Sequence, residues 1–65
     1  MPEIQFDHDD LIDFLEDSED LIKGGDTGSV VLGCLVLGAK RARRDDVAKE
    51  DFLQAAEAAW EISKA

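Results

Sequence analysis

The chain has 65 residues, with 16 acids against seven Lys and Arg, and a formal net charge of −9. That length admits one domain at most, and a chain so short buries only about 60% of the surface its unfolded form exposes. Cys34 is the only cysteine, which excludes a disulfide within one chain, and no Cys/His cluster offers a structural zinc site.

The first predicted element is a helix over 8–23. Asp7 stands where an N-cap belongs, and Asp9 and Asp10 suit the positive end of the helix dipole. Leu11, Ile12, Phe14, Leu15, Leu21 and Ile22 recur at helical spacing. Lys23 and then Gly24-Gly25 read as a stop.

This segment also holds the charge. Residues 1–26 contain ten acids and one base, a balance of −9, whereas residues 27–65 balance at zero with six of each. From Asp7 to Asp20 there are eight carboxylates, which is about 2.5 Å of helix axis per charge at 1.5 Å rise per residue. Duplex DNA carries about one charge per 1.7 Å. Asp9, Asp13, Glu16, Asp17 and Asp20, with Asp10 beside them, are predicted to form one outward ridge opposite Leu11 and Leu15.

A second helix is predicted over 27–43, capped by Asp26 or Thr27. Its body, Val30 to Ala39, is apolar on every side and must be covered on every side. Two short flanking helices cover about two-thirds of such a circumference, so the remainder is an exposed patch or a homodimer seam, with the dimer slightly ahead. Lys40, Arg41, Arg43 and Arg44 follow, beside Asp45 and Asp46. They read as an internal or intersubunit ion network rather than a nucleic-acid contact.

The third helix is predicted over 47–63, capped by Asp45 or Asp46. Phe52, Ala55, Ala56, Ala59, Trp60 and Ser63 make one alanine-rich stripe. Gly33 and Gly38 opposite it would let two helices approach closely. Val31, Leu35 and Trp60 are the expected core or dimer seam, and Cys34 the expected small core residue.

Chemistry is sparse. The acids do not match the calcium-loop spacing, so no metal is expected. Gly24 to Ser29 lacks the Lys of a phosphate-binding loop and reads as a capped turn. His8 is the only histidine, and no Ser/His/Asp or Cys/His arrangement accompanies it. No catalytic residue and no cofactor are expected. The N-terminus has no signal-peptide pattern, and Val30 to Ala39 is half the ~20 residues a membrane helix needs. With its single cysteine, the chain reads as soluble and cytoplasmic.

Gly28 to Arg44 and the following Asp45-Asp46-Val47-Ala48-Lys49-Glu50-Asp51-Phe52-Leu53-Gln54-Ala55 resemble a helix pair from the lid of AAA-type ATPases, through the Val-x-x-Glu-Asp-Phe opening of the last helix. The Thr usual after that Val is Ala48 here, and no nucleotide-binding domain accompanies the pair. The resemblance implies a helix-turn-helix and carries no function. In composition the chain is similar to the small acidic inhibitors that phages use against restriction and CRISPR systems.

The reading is therefore an all-α, three-helix single domain over 1–65 with an apolar second helix. Its expected role is that of a non-enzymatic acidic inhibitor. Asp9, Asp10, Asp13, Glu16, Asp17 and Asp20 would mimic nucleic-acid charge and block a basic, nucleic-acid-binding surface of a host protein. Nucleic acid and an anionic membrane surface are disfavoured as direct partners. The alternative is a helical oligomerising adaptor, or an antitoxin-like partner, that binds through its apolar helices.

Overall fold

The structure is a computed structural model that describes residues 5–64. It is all-α, with no strand among the described residues. In chain order come α1 (His8–Ser18), a 3-10 helix (Glu19–Ile22), α2 (Thr27–Arg44) and α3 (Lys49–Ile62). None of these helices is long and apolar enough to cross a membrane. Contacts group the chain into two compact units, one Phe6–Leu37 and the other taking in the chain from Gly38 onward.

Each helix boundary has a local cause. The Asp7 carboxylate accepts the backbone N–H groups of Asp9 and Asp10 at 2.9 and 3.1 Å, which fixes the start of α1. Its end falls at Ser18 rather than at residue 23. Glu16, Asp17, Glu19 and Asp20 crowd the negative end of the dipole, and the last turn of α1 holds no base. A tighter 3-10 turn takes over there. The chain then reverses at Gly25, whose φ is +87° and whose missing Cβ would lie 3.3 Å from Val30 Cγ2. The left-handed φ is what favours glycine there; the Val30 methyl would have to give way by only a few tenths of an ångström.

Asp26 caps α2, its Oδ2 accepting the Ser29 N–H at 2.9 Å. At the other end Arg41, Arg43 and Arg44 occupy the last turn, where positive charge suits the dipole. The exit is a Schellman motif. Val47 N–H donates to the Ala42 carbonyl at 2.8 Å and Asp46 N–H to the Arg43 carbonyl at 3.3 Å. The left-handed residue is Asp46, at φ 59°. Asp tolerates that region better than most side chains.

Asp45 and Asp46 are thus committed to ending α2, and neither caps α3 as the sequence suggested. The cap position of α3 is Ala48, with φ −66° and ψ 150° and no side-chain hydrogen bond.

The packing is thin. No described residue is buried. In the first unit the least exposed residues are Leu11 and Ser18 on α1 and Val30 and Gly33 on α2. In the second, Ala39, Ala42, Val47, Asp51, Phe52, Ala55, Ala56 and Ala58 are half-buried. Phe52 is the one large side chain among them. A Cβ on Gly38 would meet its Cε1 at 3.5 Å, an ordinary van der Waals contact, while Gly33 has open space where a Cβ would stand. Neither glycine is needed for a close helix approach.

Two core assignments are therefore corrected. Cys34 is exposed. Trp60, two turns beyond Phe52 on α3, is 69% exposed.

The uncapped start of α3 predicts that Ala48→Asp stabilises the chain. The dihedral angles at Ala48 already suit a cap, so the gain is about 1 kcal/mol, read as a higher urea midpoint with an unchanged slope.

Two carboxylates at the ends of α2 predict a pH response. The Ser29 backbone N–H holds Asp26 below the ordinary Asp range, helped by the Ser29 side chain. Arg41 and then Arg44 do the same for Asp45. A depressed carboxylate contributes stability above its unfolded-state value and loses it as pH falls through its own lower value. Carboxyl 13C titration should give both groups midpoints below ordinary Asp, and Arg41→Ala should move only Asp45 back toward it.

Candidate functional site

α1 is where charge concentrates. Asp9, Asp13, Glu16 and Asp17 follow i, i+4, i+7 and i+8 spacing on it, so they share one face. Asp10 flanks them. All five are exposed, and no ion pair or side-chain hydrogen bond among the described residues engages their carboxylates. From Asp9 to Asp17 the helix rises ~12 Å, so five charges stand about 2.5–3 Å apart along the axis. One strand of duplex carries a phosphate about every 3.4 Å.

Asp20 stands apart from this ridge. It lies on the 3-10 helix, where the rotation per residue differs, and it pairs with Lys23 at 3.0 Å. The ridge is therefore about two turns of α-helix rather than three. Its opposite side is apolar, with Leu11 half-buried and Phe14 and Leu15 exposed, Phe14 by 67%.

The expected seam residues do not come together as a core. Val31 and Leu35 are 53% and 43% exposed on α2, and Trp60 stands free on α3. Leu32, Val36, Leu37 and Leu53 are exposed as well. The apolar side chains of α2 and α3 are thus presented outward in both units.

The basic cluster divides in two. Asp45 clamps Arg41 Nε at 2.9 Å through one oxygen and Arg44 Nε at 3.2 Å through the other. This is the internal network the sequence suggested, and it braces the exit of α2. Lys40, Arg43 and Lys49 take part in no ion pair among the described residues.

A groove that sequence reasoning missed lies beside that brace. It is open, measures about 410 Å³, and is lined by Ala39, Ala42, Arg43, Val47, Lys49 and Phe52. The Schellman exit creates it, by folding Val47 back toward Ala42 while α3 delivers Phe52. The sequence signal was the pair Val47 and Phe52 flanking a short polar turn.

No three His, Cys, Asp or Glu side chains among the described residues are placed to hold a metal ion. His8 is exposed at the start of α1. The Gly24–Ser29 segment forms the capped turn described above. No protein family, curated protein or solved structure matches the chain.

The exposure of Trp60 has a direct spectroscopic test, since it is the only tryptophan. Its emission in the free protein should match that of tryptophan in water and be fully quenched by acrylamide. A blue-shifted, protected emission at low micromolar concentration would mean that Trp60 is packed within one chain.

Proposed function

We propose that the protein is a non-enzymatic acidic binding protein whose α1 ridge engages a basic, nucleic-acid-binding surface of another protein and blocks it. It would act in the manner of the anti-restriction or anti-CRISPR inhibitors. The observation that carries this reading is the set of five exposed, unpaired carboxylates on two turns of α1, spaced like the phosphates of one strand. Such density repels itself and opposes the compact state. Lys side chains interleaved at i+4 would relieve that repulsion, and α1 has none. An opposing basic groove supplies the missing counter-charge.

The partner is read as cationic, and its binding as fast and salt-sensitive. α1 supplies charge and spacing, while the remaining residues hold it in place. Asp9, Asp13 and Glu16 form the centre of the ridge; Asp10 and Asp17 form its edge.

A second reading has its own support. The outward apolar side chains Val31, Leu35 and Trp60 suit an oligomerising adaptor or antitoxin-like partner that is completed by binding. The acids would then only keep it in solution. Association of that kind resists salt and fails on Leu35→Asp.

Charge reversal separates the two. A pull-down from a host lysate at low salt, repeated with competing duplex DNA, should lose its captured protein when DNA is added. The triple variant Asp9→Lys, Asp13→Lys, Glu16→Lys should capture at least tenfold less. Capture that is unchanged by the triple variant and by DNA sinks the charge-mimic reading.

A further inference from the structure

The groove in the second unit has a defined chemistry. Its floor is apolar, made by Ala39, Ala42, Val47 and Phe52, and Arg43 and Lys49 add two cations. Neither cation has a carboxylate partner among the described residues. The nearest acids of α3 in sequence, Glu50 and Asp51, stand about 160° and 100° around the helix from Phe52, whereas Lys49 is about 60° from it. The site therefore fits an apolar side chain flanked by negative charge.

The chain itself carries that ligand. On α1, Phe14 is 67% exposed. Asp10 is four residues before it and Asp17 three residues after it, so one carboxylate lies a turn to each side of the ring on the same edge of the helix. An aromatic ring bracketed by two acids meets a groove that pairs an apolar floor with two cations.

We infer that the groove is a docking site for α1 of a second copy of this chain, with Phe14 seated on Phe52, Ala39 and Ala42 and with Asp10 and Asp17 facing Arg43 and Lys49. Two copies that exchange the contact satisfy both helices and both grooves through two identical interactions, which is the isologous arrangement of the inferred two-fold dimer. The contact covers Phe14 and fills the groove in both copies. It takes up Asp10 and Asp17, the edge of the ridge, and leaves its centre, Asp9, Asp13 and Glu16, on the outer side of α1; the inference goes beyond the proposed function, and a dimer would present the ridge through that centre alone.

The test is a charge swap read by mass. Sedimentation equilibrium of the full chain over about 10–500 μM should show an assembly of twice the 7.1 kDa chain mass. Reversing the groove (Arg43→Glu with Lys49→Glu) should weaken the dimer at least tenfold, as should reversing the helix edge (Asp10→Lys with Asp17→Lys). All four positions are exposed, and far-UV circular dichroism checks that helix content is kept. An equimolar mixture of the two variants should recover the dimer, because each helix then meets a groove of opposite sign. A single-chain mass at every concentration overturns the inference, and covers the case in which α1 fills the groove of its own chain. A dimer indifferent to both reversals, or a mixture that recovers nothing, overturns it equally. The ridge triple variant leaves Asp10 and Asp17 in place, so failure of the inhibitor reading and failure of this one are told apart.

Discussion

The constraint on which everything else depends is that the helices are held at their ends and not by a core. No described side chain is buried, so the usual source of helix stability, an amphipathic face packed in an interior, is nearly missing. In its place stand the Asp7 and Asp26 caps, the glycine reversal at Gly25, and the Schellman exit of α2 with its Arg41–Asp45–Arg44 brace. Each acts over a few residues. An isolated helix of 11 residues such as α1 is marginal in water, so anything that covers its apolar side would also stabilise the helix.

That constraint gives the surface two sides. α1 presents carboxylates on one face and Phe14 and Leu15 on the other, and the rest of the chain presents apolar side chains and a small cationic groove. The acids oppose self-association in general, since two copies bring their charges together. The proposed contact between the edge of α1 and the groove would oppose that repulsion through local complementarity. A surface of this kind selects its contact by placement of charge more than by area.

Much of the local structure was legible in the sequence. Three helices, the Asp7 cap, a cap at Asp26 or Thr27 and the glycine stop each follow from residue types and their spacing. The misreadings have physical reasons. Asp favours both N-caps and the left-handed region, so Asp45 and Asp46 read as a start when they form an end. Acids at the C-terminal side of α1 fit the apolar periodicity but oppose the dipole, and that conflict turns Glu19–Ile22 into a 3-10 helix and takes Asp20 off the ridge. Periodicity finds an apolar face but not what covers it, so Cys34 and Trp60 were assigned to a core that the chain does not build. The groove was missed because the pair Val47 and Phe52 around a polar turn does not report the backward fold of Val47 on which it depends.

The exit of α2 has a kinetic meaning as well. Its hydrogen bonds and ion pairs all lie between Arg41 and Val47, so closing it costs little loop entropy. Contacts this local form at the fast end of folding, on the timescale of single helices and short loops. The turn from α2 into α3 is therefore set early, and the groove it shapes forms together with it, without waiting for contacts distant in sequence.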